Sequence, residues 1–380
     1  MKPLRAALAT LTLVAVIPTL GASQTVRGRL VERGSEIPVP GAFMVLEDSA
    51  GIAISTTLTS SAGTWILNVP TAGTYRLRAD RIGYASAFSE LLRIDEGEAL
   101  TYRLEADVSP VGLAGLEVDA SAGRCEALAE ESLAIHRVWE EARKALAAIV
   151  WTGQQLYYRF DAVHFQRTLD PDGRPTSTVE FEEVRYFGRH PFRSIPARDL
   201  VLGGFVQAVS GSLRYYGPDA DVILSDDFLR RHCFQLMEES ELIGLMFEPV
   251  PDARVTDISG TMWLDRASAE LRRLDFQYEN LDIGVDTEGL GGRVDFARLP
   301  SGAWIVKSWA IRAPIVEMTG ARSQAGRQRA RRRVLTAIDE GGGQVTAVYV
   351  TSRLVGRTST DTLPVRPPPD SLIVRFPLEN

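Results

Sequence analysis

The chain has 380 residues, 45% hydrophobic and 24% charged, which excludes disorder throughout and suffices to bury a core. A net charge of −7, from 42 basic and 49 acidic residues, speaks against a general nucleic-acid binder. The 32 glycines and 20 prolines favour many short elements joined by turns, and the length suggests two folded domains.

Lys2 and Arg5 precede an apolar run at 6–17, followed by Pro18 and the small residues Gly21, Ala22 and Ser23. This is the layout of a secretory signal peptide, assigned here to residues 1–24. The run is too short to span a bilayer, which takes roughly 20 residues. No cysteine follows it, so a lipoprotein anchor is not expected, and no later run is long enough for a transmembrane helix after signal removal. The expected location is the periplasm or the cell surface. Cys125 and Cys233 are the only cysteines. In an oxidising compartment such a pair can close a disulfide; two unrelated buried thiols are the alternative. Neither lies in a C-x-x-C motif, which disfavours redox or zinc chemistry.

Short alternating runs follow: a strand near 26–31, a turn at 38–41, and strands at 42–47, 53–58, 64–69, 74–79, 93–95 and 100–106. Strands this short, with turn signals every 8 to 12 residues, predict a β-sandwich over 25–107. Val26-x-Gly28, Pro38-Val39-Pro40-Gly41-Ala42, Gly63-Thr64-Trp65, Gly73-Thr74-Tyr75-x-Leu77 and Gly83-Tyr84, in that order, resemble the carboxypeptidase regulatory-like domain. The turn before Gly63 departs from the family in carrying Ser60-Ser61-Ala62 where an Asp is usual. The resemblance implies a prealbumin-like sandwich, grouped with carbohydrate-binding-like folds, that serves as an accessory module of peptidases, outer-membrane receptors and other cell-envelope proteins. Residues 113–118 resemble the segment that leads into a receptor plug, but the chain beyond them is too short for a 22-stranded barrel.

Residues 126–149 contain no Pro or Gly and repeat apolar residues at helical spacing, which predicts a helix within a connector at 108–150. From 151 to 356 longer strands return and predict an antiparallel curved sheet or open barrel. Asp170-Pro171-Asp172-Gly173 marks a hairpin between 156–168 and 176–187. A second hairpin joins 261–265 to 270–278, with Arg272, Leu274, Phe276 and Tyr278 on one face and Arg273, Asp275 and Gln277 on the other. Residues 226–242 are expected to form a helix or lid, and 334–338 to pair with 345–351 across Gly341-Gly342-Gly343. The hairpin around Gly260-Thr261-Met262-Trp263 faintly resembles half-barrel carriers of lipids and lipoproteins. The stretch 357–380, with Pro367-Pro368-Pro369, is expected to be extended and polyproline-like.

None of the four histidines begins a zinc-peptidase pattern, and no nucleophile elbow or phosphate loop occurs, so no enzyme, cofactor or metal is expected. Asp219, Asp221, Asp226 and Asp227 match no calcium loop and are taken as ordinary loop acids. Arg322, Arg327, Arg329, Arg331, Arg332 and Arg333 form one basic cluster. It is either a solvated loop or a dock for an anionic partner, with Arg329, Arg331, Arg332 and Arg333 as the docking candidates. The expected function is non-catalytic binding or scaffolding in the cell envelope, with a protein, glycan or lipid as partner. The alternative is a periplasmic carrier of a lipid or other apolar ligand in the second β domain.

Overall fold

A computed structural model describes residues 24–108, 129–155, 157–251, 254–320, 331–350 and 371–378. Residues 1–23 and 113–118, Cys125, Arg322, Arg327, Arg329 and the Pro367–Pro369 run lie outside them, while Gln24, assigned above to the end of the signal peptide, begins the first strand.

The N-terminal region is an all-β sandwich of β1 (Gln24–Glu32), β2 (Phe43–Asp48), β3 (Ala53–Leu58), β4 (Thr64–Val69), β5 (Gly73–Asp80), β6 (Ala87–Phe88), β7 (Leu92–Ile94) and β8 (Ala99–Ala106). One sheet runs β4-β1-β8, with β1 parallel to β8; the other runs β3-β2-β5-β6, with β7 also on β5. Alternation along β4 and β5 turns Trp65, Leu67, Val69, Tyr75, Leu77 and Ala79 inward. They pack against Val26, Leu30, Met44, Leu46 and Leu104 to make the inter-sheet core.

The second region begins with α1 (Ala129–Gln154), followed by β9 (Tyr158–Leu169), β10 (Glu180–Phe187), α2 (Ala197–Gly203), β11 (Val206–Val209), β12 (Ser212–Tyr215), α3 (Ala220–Ile223) and α4 (Asp226–Arg231). The remaining strands are β13 (His232–Glu239), β14 (Leu242–Pro249), β15 (Asp257–Asp265), β16 (Leu271–Glu279), β17 (Gly291–Arg298), β18 (Trp304–Gly320), β19 (Arg331–Val350) and β20 (Ser371–Arg375). Apart from the small β11-β12 hairpin they form one antiparallel sheet, β10-β9-β19-β18-β17-β16-β15-β14-β13, with β20 on β19. The edges β10 and β13 do not meet, so the sheet is open rather than a closed barrel.

One face of this sheet is covered. Helix α1 turns Val138, Ala142, Ala145, Leu146 and Ile149 onto Leu245, Phe247, Met262, Leu274, Phe276 and Trp309, and α3 and α4 add Val222, Ile223 and Phe228 to the same core. At roughly 1.5 to 3 kcal/mol per fully buried large side chain, this layer is the main stabilising element of the domain.

Four local expectations are corrected. The glycines at 341–343 do not turn the chain: β19 runs straight through them, held by β9 on one side and β18 on the other. A Cβ on Gly342 would lie 2.2 Å from the Trp309 carbonyl oxygen and 2.7 Å from the Phe165 ring, and one on Gly343 would lie 2.5 Å from the Trp309 ring. Aromatic rings from neighbouring strands occupy the space that side chains would otherwise take. Residues 226–242 form only the short α4; from His232 on the chain pairs with β14 along its full length, through a tight turn at Ser240, where φ is 48°. Arg272 is exposed, because a register shift at Trp263/Leu264 places Leu271 in the core instead. Finally, the C-terminal stretch contributes β20, which pairs with β19 at 347–350, beyond the end of the β18 pairing, and packs the half-buried Val374 against a third cluster that contains Phe160, Ile305 and Val348.

The two regions are joined by polar and close backbone contacts. The Glu141 carboxylate accepts from the Gly83 N–H (2.9 Å) and from Lys144 Nζ (2.7 Å), which also donates to the Tyr84 carbonyl oxygen (2.7 Å). Phe43 meets Trp151 edge-on at 5.9 Å, and Gly41 touches Gly302 so closely that a Cβ on either would collide with the other.

Candidate functional site

The opposite face of the large sheet is polar, and among the described residues no helix covers it. Its residues are adjacent in sequence to those of the core, since successive side chains alternate between faces. Register aligns them into rows that cross the strands. One row runs Phe181, Phe165, Gly342, Ala310, Arg293, Asp275, Thr261, Met246 and Gln235. A second runs Arg167, Glu340, Arg312, Gly291, Gln277 and Ser259.

Between β14 and β19 these rows enclose a cleft of about 590 Å³, lined among others by Thr261, Asp275, Gln277, Arg293, Arg312 and Glu340. The small side chain of Ala310 leaves the floor low between Arg293 and Arg312. Glu340, only 2% exposed, is held between two guanidinium groups: Arg312 Nε donates to its Oε1 at 2.8 Å, and Arg167 Nε donates to its Oε2. Arg293 pairs with Asp295 (2.8 Å) and Arg273 with Asp275 (2.9 Å), while the Arg273 guanidinium lies over the Trp263 ring at 5.1 Å. Arg293, Arg312, Asp275 and Glu340 each have an opposite charge beside them, which fixes the orientation of planar donors and acceptors. Such a surface offers oriented N–H donors and carboxylate acceptors that match a ligand rich in hydroxyl groups.

The titratable groups singled out in the sequence do other work. Asp219, whose carboxyl burial pushes up, caps α3 and accepts from the N–H groups of Ser194 and Val222. Asp226 and Asp227 occupy the first turn of α4, where the helix dipole favours them. Both ring nitrogens of His232 contact backbone carbonyl oxygens, of Phe228 and Ile258. His164, its pKa lowered by burial, hydrogen-bonds the Tyr186 hydroxyl on the covered side. Among the described residues no group of three His, Cys, Asp or Glu could hold a metal ion.

Of the other candidates, Cys233 lies on edge strand β13 opposite Glu248, and Cys125, with which it would pair, is outside the described residues. Arg331, Arg332 and Arg333 are not in a loop: they open β19, paired with Gly320, Thr319 and Met318, because the β18-β19 ladder continues past the neighbouring strands. Arg333 is exposed, with its stem against Gly284. None of these residues lines the cleft. The polar cleft residues escaped the sequence reading apart from Asp275 and Gln277, whose shared face was visible; assembling the rest needs the register of β17, β18 and β19.

Comparison with known proteins bears on the N-terminal region. Residues 25–107 match the carboxypeptidase regulatory-like domain. No curated protein matches the chain at a significant level. Among solved structures, the Bacillus anthracis TIE protein is 11% identical over 44% of this chain and 27% of its own, with a TM-score of 0.21. A streptococcal ancillary pilin is 11% identical over 52% of this chain and 60% of its own, at 0.19. A DUF1329 family protein from Desulfovibrio piger is 9% identical over 55% and 91%, at 0.26. The chain thus spans about a quarter of the first protein and 60% of the second, and scores this low transfer no function. What the sequence motifs, the two-sheet architecture and the family match jointly identify is a carboxypeptidase regulatory-like domain at residues 25–107.

Proposed function

We propose that this is a non-catalytic cell-envelope binding protein whose second domain holds a hydroxyl-rich ligand, a glycan, in the cleft on its open sheet face. The observation that carries the proposal is the cleft itself: about 590 Å³ of space lined by oriented guanidinium, carboxylate, amide and hydroxyl groups. The carboxypeptidase regulatory-like sandwich, fastened to α1 by the Glu141 and Lys144 contacts, acts as the accessory module that presents this face. The signal-peptide layout supports export. A carrier of apolar ligands would need space between the sheet and its helical cover, and the side chains of α1, α3 and the sheet fill that layer.

The test is calorimetric titration of the full chain with cell-wall and capsular oligosaccharides, together with lipid analysis of the purified protein. Saturable oligosaccharide binding that falls about tenfold or more in Arg293→Ala and Gln277→Ala, at unchanged melting temperature, supports the proposal. A stoichiometric co-purified lipid with no glycan binding would restore the carrier reading.

A further inference from the structure

Strand β10 forms one edge of the large sheet, and among the described residues it pairs only with β9. An open edge of this length presents unpaired backbone groups, which proteins usually cover or disrupt. Here it is neither short nor interrupted by proline, and it displays two large aromatic side chains: Phe181 is 68% exposed and Phe187 is 50% exposed.

The direction of the free backbone groups follows from the ladder. The Gly188 N–H donates to the Tyr158 carbonyl oxygen, and these residues continue the β10-β9 register. Hydrogen-bonded pairs alternate along an antiparallel ladder, so even-numbered residues of β10 bond to β9. Phe181, Glu183, Arg185 and Phe187 therefore direct their N–H and C=O groups outward. Their side chains share the open sheet face, opposite Phe165, Val163, Asp161 and Arg159 respectively.

We infer that β10 pairs with β10 of a second copy of this chain, antiparallel about a two-fold axis through Val184, to continue the sheet across both subunits. An axis perpendicular to the sheet requires paired residues to share a face, so it must pass through a residue rather than between two. Through Glu183 or Arg185 it would set like charges against each other. Through Val184 it sets Glu183 opposite Arg185 and Phe181 opposite Phe187, each twice, and those residues carry the outward N–H and C=O groups. Arg185 is available for this pairing: it is largely exposed, and its nearest carboxylate, Asp161 at 3.9 Å, already holds Arg159 at 3.1 Å. On the other face, Glu182 falls opposite Tyr186, whose ring carries the Arg189 guanidinium at 5.3 Å. Charge, aromatic surface and hydrogen-bonding phase thus select the same register, which is the property expected of a self-complementary edge. Both open faces then lie on the same side of the joined sheet.

Sedimentation velocity of the full chain over a concentration series tests this inference. Wild type should form a dimer, Arg185→Glu should raise its dissociation constant about tenfold or more, and Glu183→Arg combined with Arg185→Glu should restore it. A thermal melt of each variant checks that the subunit is folded. If Arg185→Glu does not fold, Glu183→Pro serves instead, because it removes an outward N–H without touching the β9 ladder. A wild-type chain that stays monomeric throughout, a dimer indifferent to Arg185→Glu, or a folded double variant that stays as weak as the single one would each overturn the inference.

Discussion

The two faces of the large sheet are made from the same strands, often from adjacent residues, yet they differ in what holds them. On the covered face Phe247 is fully buried and meets Phe228 edge-on at 5.3 Å and His232 at 5.6 Å. On the open face, one residue along, Glu248 lines a polar cleft. The difference teaches that alternation sorts side chains into two sets, while the element that covers one set makes it a core. Paired charges such as Arg293 with Asp295 can remain on the other face because water still reaches them, and they add little to stability there.

This comparison is open to direct attack. The largest effect is expected on the covered face: Phe247→Ala should cost about 3 to 5 kcal/mol, since it leaves a cavity between α4 and the sheet, and a thermal or urea melt reads it. A destabilisation below about 1 kcal/mol would mean that this layer is far looser than its burial implies. Next comes a covalent tie. Cys233 shares the open-face side of β13 with Gln235 and Met237, so a bond to Cys125 would bring the segment before α1 around that edge. Mass spectrometry under non-reducing conditions should find the pair bonded, and reduction should cost about 2 to 4 kcal/mol of stability. Two free thiols in exported material would remove the tie.

Smaller effects are expected where the faces meet the backbone. Gly342→Ala should cost about 1 to 3 kcal/mol, because its Cβ collides with the Trp309 carbonyl and the Phe165 ring; equal melting temperatures would show that β18 and β9 can move apart. The smallest change in stability is expected at the basic end of β19. Replacing Arg329, Arg331, Arg332 and Arg333 with Gln should leave the melt within about 0.5 kcal/mol while reducing association with anionic vesicles. Unchanged association would assign these arginines to solvation alone, and a large loss of stability would assign them to the β18-β19 ladder.

Much of the architecture is local and was therefore legible in the sequence. Glycine and proline turns between short alternating runs mark out the sandwich, and the residues 126–149, free of both, mark α1. The inward set Leu274, Phe276 and Tyr278 on β16 follows from period-two alternation alone. Tertiary structure decided the rest, because the forces involved act between residues far apart in the chain. Gly341 to Gly343 have every local property of a turn, yet pairing to β18 and β9 makes them the middle of a strand, with rings of Phe165 and Trp309 against Gly342 and Gly343. Simple alternation sets Arg272 on the face of Leu274, Phe276 and Tyr278, but the ladder steps from Trp263–Arg273 to Leu264–Leu271, so Arg272 bulges out of β16 and Leu271 takes the buried position. The cleft depends most fully on tertiary structure: Thr261, Gln277, Arg293, Arg312 and Glu340 come from five strands, and only their register brings them to one surface. Composition and alternation determine which side chains face together along one strand. Register and cover determine which of those faces becomes a dry core and which becomes a site.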